Sequence, residues 1–289
     1  MAHPIPLRSV AHTPSVVCSP DLRLAFTVVP LDFQGIPMNL DIMSDQRRRF
    51  DNGDFPFEGP TPARVWGDQW LRVSEKVLKG LNHKLTNRVA ALEAVVTIFD
   101  PREGPDPELV AALGTEVKQL HGLLRLFRLM PAEPFAEPEA CRLQDVMPNV
   151  VQLHCHHADL KEIPFELQED EEALPILVRQ SALLRCLLVV LEAAAGNALR
   201  SGTGLPIRIA YAQQGSDVVI RITGPAVPSQ LIFSGEGSLL HAVRSALVHA
   251  RGHVEALATP MGGYDSVAFE VRLPTLAEAR RLDREAAVA

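Results

Sequence analysis

The sequence predicts an α+β protein: a long helical hairpin followed by an α/β sandwich, with an irregular leader in front. Three observations carry this. Apolar residues recur at spacings of three and four from Leu78 to Phe99 and again from Leu109 to Phe127, the repeat of helices that bury one face. The short stretch between these runs contains Asp100-Pro101 and Gly104-Pro105, which end helices and turn the chain. Beyond about residue 140 the pattern becomes strand-length runs set among helices, and strands running together with helices on one side make a sandwich rather than a wound parallel sheet.

Residues 1–62 carry Pro4, Pro6, Pro56, Pro60 and Pro62 with no sustained periodicity, and read as an extended or disordered leader. Met43, just ahead of Ser44-Asp45-Gln46-Arg47, is a candidate true start. The hairpin domain spans 63–133. Its first helix runs to Phe99 with Trp66 and Trp70 one turn apart, and its core stripe is Leu78, Leu81, Leu85, Val89, Leu92, Val96 and Phe99. The second helix begins near Pro107, with Asp106 as its cap, and its stripe is Leu109, Leu113, Val117, Leu120, Leu124 and Phe127; proline in the first turn after an aspartate is a helix start. One such hairpin leaves a broad apolar strip uncovered, and pairing two copies into a four-helix bundle covers it.

Pro131, Pro134 and Pro138 punctuate the linker to a second domain over 140–276. Expected there are a helix over 144–158, a strand over 163–168, an apolar helix over 175–200, and a hairpin of strands 207–213 and 217–223 turning at Gln214-Gly215-Ser216. A helix over 238–251 and strands over 253–258 and 266–273 complete it, and 277–289 is a C-terminal tail. Glu169-Asp170-Glu171-Glu172 reads as an acidic start to the apolar helix, where the helix dipole favours acid.

Composition bounds the function. The chain has 289 residues, is 47% hydrophobic and carries a net charge of -7, which provides for two real cores and gives no basic surface for nucleic acid. Cys18, Cys141, Cys155 and Cys186 are scattered without a CxxC pair or a secretory leader, the pattern of reduced thiols in a cytoplasmic protein. The longest apolar run, 186–195, is interrupted by Glu192 and is shorter than the roughly 20 residues that span a bilayer, so no membrane crossing is expected.

His83 is the residue most worth following. Helical residues rotate by roughly 100° each, so His83 lies roughly 200° from Leu81, while Asn87, four residues on, falls alongside it. A core histidine would sit on the apolar stripe, and His83 does not. Taken alone, it reads as an ordinary solvated histidine. His154, Cys155, His156, His157 and Asp159 make a dense set of potential metal ligands, but without a second cluster they point to no metal site. His121 lies near the second stripe and reads as structural.

Several of these positions resemble the dimeric histidine kinases of two-component signalling over about residues 63–275. The box from Leu81 to Leu92 looks like the one around the phospho-accepting histidine, with His83 in that place and Asn87 where the family can orient a water. The helix ending Gly196-Asn197-Ala198-Leu199 looks like the one whose asparagine holds the magnesium of ATP. Gly235-Glu236-Gly237 and Arg251-Gly252-His253-Val254-Glu255 resemble the second glycine box and the turn that follows it. The resemblance implies a homodimer whose second domain is a histidine-kinase-like ATPase (Bergerat-type) α/β sandwich, with Asn197, Gly224, Gly235 and Gly237 as the nucleotide residues if ATP and magnesium are still bound.

Departures from the family shape the expected function. The strand before the lid ends Ile222-Thr223-Gly224-Pro225, with Ile222 where the family has the aspartate that reads adenine; an unpaired adenine donor costs ~1–3 kcal/mol. Leu239 replaces a glycine, the lid segment 227–234 has no lysine or arginine, and Lys84 follows the histidine where an acid is usual. A neighbouring cation opposes protonation of the imidazole and helps neutralise a phosphoryl group, but it cannot take the ring proton. The resemblance therefore implies a degenerate member: a histidine phosphotransferase or phosphatase passing phosphate between His83 and aspartates of response-regulator receiver domains, which supply their own magnesium, with an upstream hybrid kinase as a further partner. The rival expectations are an ATP-dependent kinase with divergent boxes and a non-catalytic dimeric scaffold.

Overall fold

The structure is a computed structural model that describes residues 61–98, 106–130, 137–170, 172–225, 239–261 and 264–288. The leader with Met43, the loop after the first helix, the segment 226–238 with Gly235 and Gly237, and Phe99 lie outside the described residues.

Helices α1 (Pro62–Ile98) and α2 (Pro107–Leu129) form the hairpin. Asp106 caps α2 as its sequence suggests: its side chain accepts from the Glu108 amide at 2.9 Å, and Pro107 needs no partner for a missing N–H. Arg88 Nη1 spans the hairpin to both carboxylate oxygens of Glu116 at 3.1 and 3.2 Å.

The second domain contains β1 (Glu139–Cys141), α3 (Leu143–His154), β2 (Phe165–Gln168), β3 (Ile176–Val178), α4 (Gln180–Ser201), β4 (Ile207–Gln214), β5 (Asp217–Pro225), α5 (Leu239–Leu247), β6 (His253–Met261), β7 (Tyr264–Pro274) and α6 (Leu276–Val288). Five strands form one mixed sheet in the order β2-β4-β5-β7-β6, with β2 parallel to β4 and the remaining pairs antiparallel. The α/β sandwich follows from side-chain alternation. Ile207, Ile209, Tyr211, Val218, Ile220, Ile222, Phe269, Val271 and Leu273 are buried on the face where α4 packs, itself flanked by α3 and α5. The opposite face carries ion pairs across neighbouring strands, Arg208 to Glu166 at 2.9 Å and Arg221 to Glu270 at 2.5 Å.

Two expectations for this domain are corrected. The apolar run expected to be helical from 175 begins as strand β3, paired with β1, because β-branched Ile176 and Val178 meet a partner strand that the sequence does not announce. Asp170 does not start a helix; its carboxylate accepts from the amides of Glu172 at 3.1 Å and Gln213 at 3.2 Å, pinning a turn to the end of β4. The C-terminal tail forms helix α6, capped by Thr275, whose hydroxyl accepts from the Glu278 amide at 3.4 Å, and tied back by Arg251 to Asp283 at 2.8 Å. Cys141 and Cys186 are free and buried.

Among the described residues one helix, Gln180–Ser201, is long and apolar enough to cross a membrane, and it is mostly buried inside the protein. It is the central helix of the sandwich, with Leu183, Leu187, Leu188, Leu191, Ala194 and Ala195 sealed.

Candidate functional site

On α1 the sealed residues are Val73, Val77 and Leu81, one per turn at spacings of four. The expected stripe is shifted: Leu81 belongs to it, but Leu78, Val89 and Val96 are exposed. The reason is a partner the periodicity could not reveal, since α1 packs along α5 and α4 of the second domain. The distal half of the stripe remains uncovered in a single chain. In α2, likewise, Leu123 and Leu126 are buried while Leu113, Val117 and Leu124 are exposed. His121 is exposed rather than structural.

His83 is exposed on regular helix, three residues beyond Gly80, which lies against the backbone of His156. Asn87 is exposed beside it, its Nδ2 3.4 Å from His83 Nε2. With the ring proton on Nδ1, Nε2 accepts from this amide and is the nitrogen open to phosphorylation. Lys84 is half-buried and close enough for its charge to help hold the His156 imidazole below its usual range, after burial, the larger cause. Gly80, His83, Lys84 and Asn87 share an arc of about 100° on the helix. His83, Lys84 and Asn87 are thus brought together.

The second domain meets this face through the turn after α3. The Ala158 amide donates to the Lys76 carbonyl at 3.2 Å, Lys76 pairs with Asp159, and Arg72 pairs with Glu192 of α4 at 3.0 Å. Glu192 also faces His157 Nε2 at 3.7 Å. Because His157 Nδ1 accepts from the Asp159 and Leu160 amides at 3.2 Å each, its proton sits on the Nε2 that faces this carboxylate. His154 stacks on His157 at 5.6 Å and meets Phe165 edge-on at 4.9 Å; burial drives its pKa down to about 3. These histidines serve packing and an interdomain bridge. Among the described residues no three His, Cys, Asp or Glu side chains converge to hold a metal.

Asn197 is nearly sealed in α4. Arg200 Nη2 donates to its Oδ1 at 2.5 Å, while its Nδ2 is buried without a hydrogen-bond partner. The oxygen that a cation would need is thus already held by a guanidinium. Ile222 is sealed beneath α4, and Gly224 is an ordinary strand glycine whose added Cβ would meet Ile207 Cγ1 at 3.5 Å. Asn197 and Gly224 lie on neighbouring elements, but the structure does not bring either to His83.

Sequence reasoning missed Arg72, Lys76, Gly80, Glu192 and Arg200. Gly80 had a signal, since a glycine inside a good helix costs about 1 kcal/mol relative to alanine and calls for a packing reason. The ion pairs had none.

No protein-family model matches the chain, and no curated protein does. Among solved structures it is similar to the Acinetobacter baumannii histidine kinase AdeS, with 16% identity, TM-score 0.38 and coverage of 67% of this chain and 98% of that one. It is also similar to the catalytic domain of histidine kinase ThkA, with 18% identity, TM-score 0.40 and coverage of 48% and 98%. A third is the mycobacterial sensor histidine kinase MprB, with 21% identity, TM-score 0.38 and coverage of 47% and 97%. All three are histidine kinases or their domains. At these identities and scores the likenesses carry no functional weight, and the site's own residues decide what it does.

Proposed function

We propose that this chain is a cytoplasmic, homodimeric histidine phosphotransferase of two-component signalling, moving phosphoryl groups between His83 and the aspartates of response-regulator receiver domains. The observation that carries the reading is the exposed His83 imidazole, with Nε2 3.4 Å from Asn87 Nδ2. In the transfer, Nε2 attacks the phosphorus of the receiver's acyl phosphate. The P–N bond forms as the P–O bond to the aspartate breaks, the carboxylate leaves on the receiver with its own divalent cation, and the Nδ1 proton passes to solvent. Lys84 adds positive charge beside the incoming phosphoryl group. Asn87 also orients a water for hydrolysis of the receiver's phosphate. Two features support loss of nucleotide chemistry: Arg200 on the Asn197 oxygen and sealed Ile222 in place of an adenine-reading carboxylate. The uncovered apolar residues of α1 and α2 supply the surface for pairing two hairpins into a four-helix bundle.

Incubation of the full chain with radiolabelled ATP, and separately with phosphorylated receivers, tests the reading. Label on His83 from a receiver and none from ATP is expected. Label from ATP alone would make the chain an autokinase, and a His83→Ala variant that still supports native signalling would make it a scaffold.

A further inference from the structure

The second domain touches α1 most closely at Gly80. A methyl group added there would lie 1.7 Å from the His156 carbonyl oxygen and 2.8 Å from its carbon, both backbone atoms. Main chain therefore rests directly on main chain, three residues before His83. The contact is reinforced one turn back on the helix, by the Ala158 amide on the Lys76 carbonyl at 3.2 Å and by the Lys76 pair with Asp159. Val73, Val77 and Leu81 are sealed along the same length of helix, and Arg72 reaches Glu192 one turn further back at 3.0 Å.

Helix geometry decides what this seat controls. With about 100° per residue, His83 and Lys84 diverge from Gly80 by about 60° to one side and about 40° to the other. The turn carrying His156 is thus seated at the foot of the phosphoacceptor, between the directions of the imidazole and the ammonium. The charge of Lys84 acts on His156, in keeping with that placement. A domain that delivered ATP to His83 would have to leave this seat and return; one that stays makes a fixed wall against which a partner can dock.

We propose that Gly80 is a positioning residue for phosphoryl transfer: by admitting the His156 carbonyl onto the helix it fixes the second domain as a standing wall beside His83. This rests on the phosphotransferase reading above. A side chain at position 80 displaces the wall without touching the imidazole, so the docking of a receiver suffers more than the transfer step.

The test uses the full chain, native and Gly80→Ala, with Lys76→Ala as a milder second variant that removes the ion pair and adds no bulk. Hydrogen exchange of peptides covering Ala158 reads the seat. Transfer from a phosphorylated receiver, with KM and kcat separated, reads the role. Gly80→Ala is expected to keep its helix content, to speed exchange at Ala158 at least tenfold, and to raise KM about tenfold with kcat within twofold; Lys76→Ala should shift both in the same direction by a few-fold. Unchanged exchange in Gly80→Ala overturns the seat. Faster exchange with an unchanged KM, or a loss confined to kcat, overturns the positioning role. If the native chain accepts no phosphate from any receiver, the phosphotransferase reading fails and the role fails with it, while the exchange result still decides the seat.

Discussion

Arg200 holds the side-chain oxygen of Asn197 at 2.5 Å, and its guanidinium lies across Gly196, where an added Cβ would meet Nη1 at 3.4 Å. A fixed positive charge on the only strong acceptor of a nearly sealed amide excludes a divalent cation from that oxygen, because the two would repel in a poorly solvated place. Calorimetric titration with ATP and magnesium is therefore expected to give no sub-millimolar binding to the native chain, and Asn197→Ala should leave the titration unchanged. Sub-millimolar binding lost in Asn197→Ala would show that the arginine yields to metal.

Separation of the roles of His83 and Asn87 is the next expected outcome. His83→Gln keeps a polar side chain on the helix but has no ring nitrogen to phosphorylate, so transfer from a receiver should fall below detection. Asn87→Ala removes only the amide that faces Nε2 at 3.4 Å. That contact has to open before Nε2 attacks phosphorus, and a long, exposed hydrogen bond is worth roughly 1 kcal/mol, so the transfer rate should change by no more than about fivefold in either direction. Hydrolysis of the receiver's phosphate should fall more steeply, since water there has lost its orienting group. Equal losses in both reactions would count against the water-orienting role.

The fold was legible where it follows from local rules, and the site where it follows from helix geometry. Asp106-Pro107 marked the start of α2, alternation marked β4 and β5, and a four-residue step put Asn87 beside His83. What the sequence hid is contact between elements far apart in the chain. Val73 and Val77 are sealed and Val89 and Val96 exposed although all four are β-branched residues on one helix; only the second domain lying along the first part of α1 distinguishes them. The short strands β1 and β3 exist because they pair with each other, and neither is long enough to declare itself. The bridge from Arg72 through Glu192 to His157 joins three elements whose residues carry no common pattern.

Val89, Val96 and Val117 are 41%, 64% and 50% exposed in one chain and continue the apolar faces of the hairpin. If they form the seam of a four-helix bundle, a carboxylate placed there is buried without a partner at a cost of several kcal/mol. Val96→Glu combined with Val117→Glu should then weaken the dimer roughly 100-fold or more, as about 1.4 kcal/mol corresponds to each tenfold. Light scattering across a dilution series reads this. The charged variant should appear as a folded monomer, and a variant that dimerises like the native chain would place the seam elsewhere.

His154 makes the stability of the second domain depend on pH. Burial, then the neighbouring His157, lowers its pKa from 6.5 to about 3, against a smaller opposing pull from Glu192. Between those values the unfolded chain binds a proton that the folded chain refuses, so stability is complete above about pH 6.5 and declines as pH falls toward 3, by about 1.4 kcal/mol per pH unit. Glu192 acts lower down. Burial raises its carboxyl, but the bonds from His157 and Arg72 outweigh that and leave it below 4.5, so its contribution is lost only as pH falls below that value. The interval from pH 6.5 to 5 thus isolates the histidines. Urea unfolding of the native chain at steps across that interval should show a falling midpoint, and His154→Leu should flatten the slope by about one proton's worth, leaving the smaller part due to His156, whose imidazole burial and Lys84 also lower. An unaltered slope in His154→Leu would mean that the buried ring is not what the folded state keeps neutral.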